Sequence, residues 1–181
     1  MNRIRKTVLL FFVYFLIAVP FKVMEIIPGF TDIRPVTMLG PIYAVFFGIP
    51  GCIIMAVGNL VMDIISNSLR WSSIAGFVAN FAGPFLFYLF WICLSKMPFS
   101  LKTGSSILKH IGVIILSAVL ETVIITPAVV LIYPVVDARL FALSVLLNDT
   151  LFPVVFGIPA MILLQEELGF DPIRRFHNAD S

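Results

Sequence analysis

The sequence predicts an all-α polytopic membrane protein, a six-helix bundle with both termini in the cytoplasm. Three observations predict it. Of 181 residues, 60% are hydrophobic and only 12% charged, whereas soluble domains average about 45–50% apolar and about 25% charged. Apolar runs of roughly membrane length recur along the chain. The basic residues also divide unevenly between short loops. One integral membrane domain is expected over residues 1–181, with no soluble domain of any size.

The first span runs from Thr7 to about Met24. Arg3, Arg5 and Lys6 precede it, as in a signal peptide, but Ala18, Val19, Pro20 and Phe21 offer no small-x-small cleavage site. It is read as a retained span. The second, Pro35–Ile49, covers only roughly 22 Å at 1.5 Å per residue. The third runs from Gly51 to Ile65, and Gly48, Pro50 and Gly51 between the two predict a tight helical hairpin. The fourth, Ser72–Leu94, carries Ala75, Ala79 and Gly83 at every fourth position, a stripe that lets a neighbouring helix approach closely. The fifth, from about Ile107 to Val136, holds Pro127 and Pro134 in its later half, where kinks are expected. The sixth, Leu140–Leu164, contains Pro153, Gly157 and Pro159.

With the N-terminus inside, eight of the 12 basic residues fall on the inner side and four outside. The inner set is Arg3, Arg5, Lys6, Lys96, Lys102, Lys109, Arg174 and Arg175, and the outer set is Lys22, Arg34, Arg70 and Arg139. That bias sets the orientation.

Several function classes drop out. A net charge of +2, with no basic patch interleaved with aromatics, argues against nucleic acid. Cys52 and Cys93 lie inside apolar runs and read as small buried hydrophobes. No CxxC, HExxH or Walker-type string occurs, so neither a metal nor a cofactor is expected. The Glu166-Glu167 pair has Asp171 where a prenyl-protein protease would carry Arg. His110, beside Lys109, is expected at the inner rim. Nothing points to an enzyme.

The informative residues are polar ones at depth. An ionised carboxylate facing lipid costs about 2.5–3.5 kcal/mol on the lenient insertion scale. Asn59 and Asp63 are four apart on one helical face in the outer half of the third span. Asn80 lies about 12 Å below the outer end of the fourth. Glu121 falls near mid-membrane in the fifth, and Asn148 and Asp149 lie about 15 Å down the sixth. Asp32 and Arg34 stand at the outer mouth, with Arg70 and Trp71 on the next outer loop. Gathered on several spans at similar depth, these residues predict a pocket open to the outside. The alternative is structural glue, with Arg34 paired to Asp63.

The segment IRPVTMLGPIYAVFFGIPGCIIMAVGNLVMD then resembles the substrate-binding S components of energy-coupling factor (ECF) transporters. The likeness rests on Arg34-Pro35, Leu39 to Pro41, Phe47, Gly48 and Pro50, then Gly58, Asn59 and Asp63. SSIAGFVANFAGPFLFYLFW looks like the family's fourth span. The resemblance implies capture of a vitamin or similar micronutrient from outside. It also implies docking on a transmembrane coupling subunit with two ATPases, and a pocket near the outer face. Many members carry Ala-x-x-x-Ala in the first span; here that span has only Ala18. Asp63 and Ser66 also resemble the Asp-x-x-Ser of MreD, a membrane scaffold of the cell-shape machinery, which is the alternative function.

On the transporter reading, Arg34, Asn59, Asp63, Trp71, Asn80, Glu121, Asn148 and Asp149 are the expected substrate-binding residues. The loop from Glu25 to Pro35 is the expected lid, stiffened by Pro28, Gly29 and Pro35. Trp71 and Phe81 are the rings expected to stack on a ligand. Three acids at depth against one nearby arginine lean towards a cationic or donor-rich ligand.

Overall fold

The computed structural model describes residues 3–28, 30–94 and 99–173. Gly29, Lys96, Arg174 and Arg175, and the side chains of Arg3 and Cys93, lie outside the described residues. The chain runs α1 (Arg3–Phe21), a short antiparallel hairpin of β1 (Glu25–Ile27) and β2 (Thr31–Asp32), and a 3₁₀ turn at Pro35–Met38. Then come α2 (Leu39–Ile65), α3 (Ser72–Tyr88), α4 (Gly104–Ile132), α5 (Ala138–Phe152) and α6 (Ile158–Ile162). Turns of π-helix follow α3 at Leu89–Leu94 and join α5 to α6 at Pro153–Gly157. Among the described residues, five helical stretches are long and apolar enough to cross a membrane: Ile4–Phe21, Pro35–Ile65, Ser72–Trp91, Gly104–Ile132 and Ala138–Glu167.

The Pro35–Ile65 stretch is not straight. Gly48 has φ +61° and ψ −142°, a conformation closed to residues with a Cβ. Two separated pairs prove the reversal. Any Cβ on Gly51 would run into the carbonyl and side chain of Tyr43, although eight residues of straight helix span about 12 Å. Arg34 bonds Asn59 directly, across a sequence distance that straight helix would stretch to roughly 37 Å. The expected hairpin is therefore present, turning at Gly48 with Pro50 opening the returning arm.

Helix ends follow local chemistry. Asn67, in left-handed conformation at φ +53°, closes α2. Its N–H bonds Ile64 O and the Ser68 N–H bonds Asp63 O, which is Schellman pairing. The α4 helix begins three residues before the sequence expectation because Thr103 and Ser106 form a capping box. Asp137 caps α5 by accepting the Leu140 N–H at 2.8 Å. Pro134 lies past the end of α4, so only Pro127 interrupts that helix.

The core lies around α2. Tyr14, Tyr43, Phe87, Ile114 and Met161 are among its largest fully buried side chains, and the Tyr43 hydroxyl donates to Leu10 O at 2.7 Å. The α1 helix buries Leu10, Tyr14 and Ala18 and packs Phe11, Val13, Phe15 and Ile17 partly against the core, while Ile4, Val8, Phe12, Leu16 and Val19 are exposed. The other long helices also expose large apolar side chains, as a bundle bathed in hydrocarbon would. The α3 face that meets the interior carries Ser73, Gly76, Asn80 and Gly83, small and polar residues at helical spacing, and continues to the buried ring of Phe87.

His110 departs from expectation. It is 0% exposed, enclosed by the rings of Phe87, Trp91 and Phe99 at 4.7, 5.7 and 5.2 Å. The early start of α4 places it inside the helix rather than at its end, and Phe99 packs against it.

Candidate functional site

The polar residues converge at the end of the bundle that bears the β-hairpin, opposite the Gly48 turn. Pro35 fixes the entry of the 3₁₀ turn and keeps Arg34 out of the helical region before it, at φ −124° and ψ 70°. Its guanidinium Nη2 donates to Asn59 Oδ1 at 2.6 Å and to Asn80 Oδ1 at 3.2 Å. Its Nε lies 3.8 Å from Asp32 Oδ1. One side chain therefore ties the β-hairpin, the returning arm of α2 and α3. Burial works against its charge, but Tyr14, Asp32, Asp149 and Asp63 outweigh burial and hold its pKa above the ordinary value.

The backbone around Arg34 is clamped separately. Its N–H donates to Asn148 Oδ1 at 2.9 Å, and Asn148 Nδ2 donates to Asp32 O at 2.9 Å. The Thr37 hydroxyl donates to Asn148 O at 2.7 Å. Asn148 is thus spent on holding β2 and the 3₁₀ turn against α5. Asn80 Nδ2 is likewise occupied, donating to Gly76 O at 2.8 Å.

Asp63 pairs not with Arg34 but with Lys22, at 3.7 Å, and Lys22 also reaches Asp32 at 3.3 Å. Above these pairs opens a chamber of about 300 Å³. Its charged lining is Lys22, Glu25, Asp32, Arg34 and Asp63, and Ser66, Ser68, Ser72, Ser73 and Asn59 add uncharged polar groups. The volume stands at the small end of ligand pockets, about 300–1,000 Å³. Both signs of charge and many hydroxyls face the space, so it suits a compact ligand with donors and acceptors rather than a purely cationic one.

The β-hairpin forms one wall. Glu25 pairs with Asp32 and Ile27 with Thr31, and the Ile33 N–H donates to Met24 O at 2.9 Å. Phe30, at its tip, packs edge-on to Tyr133 with ring centroids 5.1 Å apart. The Arg70 guanidinium sits 4.4 Å from the Phe30 ring centroid and 5.8 Å from that of Tyr133. The expected lid segment is thus a strand pair held down by an aromatic and cationic latch.

Of the expected site residues, Arg34, Asn59 and Asp63 line this chamber. Asn80, Glu121 and Asp149 line a second, deeper cavity of about 20 Å³. Trp71 joins neither lining; it is 75% exposed, because the residues that turn inward at the start of α3 are Ser72 and Ser73. Phe81 stacks on Phe85 with centroids 5.3 Å apart, and the ring in the chamber wall on the lid side is Phe30. Lys22 and the serines were missed by sequence reasoning. A lysine ending an apolar span, and the SNS and SS pairs flanking Arg70, were the available signals.

No family model, no curated protein and no solved structure matches the chain. The fold and site define a helical bundle compatible with a membrane protein, with a polar chamber at one end.

Proposed function

We propose that the chain is the membrane-embedded, substrate-binding subunit of an ECF-type transporter. It takes a vitamin-like micronutrient from the outer face of a bacterial or archaeal cell membrane. The bundle crosses the bilayer six times, the Gly48 hairpin supplying two crossings, and both termini are cytoplasmic. The chamber end is outermost, where the ligand enters beneath the Glu25–Asp32 hairpin. Arg34, Asn59 and Asp63 orient it with Lys22. The chain then needs an ECF coupling subunit and two ATPases to deliver the ligand inward.

The observation that carries this reading is the chamber of about 300 Å³, capped by a hairpin and floored by a hydrogen-bonded arginine. A scaffold has no use for an open, charged space of ligand size at its end. The test is to purify the protein from its native membrane and identify retained small molecules and subunits by mass spectrometry. A stoichiometric small ligand, lost on Asp63→Asn, is expected. Recovery of cell-wall elongation proteins without any small molecule would replace this reading with the MreD-like scaffold.

A further inference from the structure

We propose that the deeper cavity between Ser117, Glu121, Asp149 and Thr37 holds one monovalent cation of sodium size. This goes beyond the ligand chamber and does not depend on what that chamber binds.

The first observation is an unmatched hydroxyl. Ser117 is 7% exposed, its Oγ has no hydrogen-bond partner among the described residues, and it lines this cavity. A buried serine or threonine in a helix can satisfy its hydroxyl by donating to the carbonyl four residues back. Thr122 does so, to Ala118 O at 2.7 Å. Ser117 does not, and it lies four residues before Glu121 on the same face of α4.

The second observation is charge. Asp32 and Asp63 have Lys22 and Arg34 as ion-pair partners. Glu121 and Asp149 have no salt bridge of their own among the described residues, and both line the cavity. Two neighbouring carboxylates in a low-dielectric interior do not both stay ionised without a counter-charge. The sequence goes out of its way to bring Glu121 in: any Cβ on Gly83 would overlap its carboxylate.

The third is size and ligand type. About 20 Å³ accommodates one water-sized particle, since a single site needs roughly 10–15 Å³ on this measure. The Asn80 amide in the lining is already bonded to Arg34 and to Gly76 O, so the available ligands are oxygens: two carboxylates, the Ser117 hydroxyl and the lone pairs of Thr37 Oγ1, whose proton is committed to Asn148 O. Oxygen-only sites select hard cations. No group of three or more His, Cys, Asp or Glu side chains among the described residues forms a multivalent metal site. The nearby Arg34 charge further disfavours a divalent ion. A sodium ion balances one carboxylate and leaves the other to share a proton or the field of Arg34.

The test uses the full chain in nanodiscs, with thermal unfolding followed at constant ionic strength in NaCl, KCl or choline chloride, and binding of ²²Na⁺ measured directly. Saturable, sodium-selective stabilisation with one ion per chain is expected. Ser117→Ala should weaken sodium affinity about tenfold, as the loss of one ligand to a charge would. Glu121→Gln and Asp149→Asn should abolish the selective response, and Asp63→Asn should leave it intact. Equal stability in all three salts with no ²²Na⁺ bound overturns the site. So does a sodium response unchanged in Ser117→Ala and Asp149→Asn, or a response to pH alone, which would mark a site for protons only.

Discussion

Arg34 Nη2 and Asn59 Oδ1 are 2.6 Å apart, and that bond closes the hairpin that Gly48 opens. The two arms of α2 are thus fixed at both ends, by backbone conformation at one and by a charged hydrogen bond at the other. Asn80 shares the same nitrogen at 3.2 Å, so the clamp also includes α3.

Replacing Arg34 separates charge from geometry. Arg34→Lys retains the charge but has no planar fork with which to hold Asp32 and two amide oxygens together. A loss of about 1–3 kcal/mol is expected, the cost of one buried acceptor left unmet. Arg34→Ala should cost more, about 2–6 kcal/mol, because it leaves two acceptors unmet, Asn59 Oδ1 and Asn80 Oδ1, while Asp32 keeps Lys22. Unfolding by denaturing detergent in mixed micelles measures both. Equal midpoints for wild type and Arg34→Ala would show that the node carries no stability.

The Gly48 turn predicts a contrast between two glycines. Gly48→Ala forces a Cβ into a glycine-only conformation and to 2.9 Å from Ile173 Cδ1, at a cost of about 1–3 kcal/mol. Gly112, within α4, has nothing within 4 Å of its Cβ position. Gly112→Ala should therefore be neutral or stabilising by up to about 1 kcal/mol. The same detergent titration reads both variants, and matching losses would mean that the hairpin turn is not strained against a side chain.

The latch on the β-hairpin predicts a kinetic effect. Arg70→Ala removes the cation above Phe30 and Tyr133, an interaction of about 0.5–2 kcal/mol. The hairpin should then open more often, and the Ile33 amide, bonded to Met24 O, should exchange its hydrogen faster by about 2- to 30-fold. Amide exchange followed by mass spectrometry over residues 25–33 measures this. Unchanged exchange there would show that the strand pair holds without the latch.

Much of this architecture is legible in the sequence because its causes are local. Apolar runs give the long helices, and Gly48, Pro50 and Gly51 give the reversal. Asn59 and Asp63 declare a common face by their spacing. What escaped was set by three-dimensional partners. Lys22 reads as a rim charge until α2 brings Asp63 beside it. Asn80, Asn148 and Glu121 fall at similar depths in sequence, yet Asn148 is consumed by backbone clamping and Glu121 enters a separate cavity. Trp71 and Ser72 are neighbours whose exposure is decided by helix phase, which the apolar pattern alone does not fix. The β-hairpin has too few residues for a periodic signal, and so it reads as loop.

Lys22 is the residue whose role the structure adds, and its pairings give the last prediction. It lies 3.3 Å from Asp32 and 3.7 Å from Asp63. Lys22→Met leaves Asp63 facing the chamber without its cation, while Asp32 keeps Arg34. Asp63→Asn removes the acid but leaves Lys22 paired with Asp32. The first change should therefore be the more damaging, and adding Asp63→Asn to Lys22→Met should recover part of the loss. Because Lys22 is 28% exposed at its side chain, the coupling belongs between surface pairs and buried ones, at about 1 kcal/mol. A double-mutant cycle on detergent unfolding gives that number. Strict additivity of the two substitutions would mean that Lys22 and Asp63 share the chamber without stabilising one another.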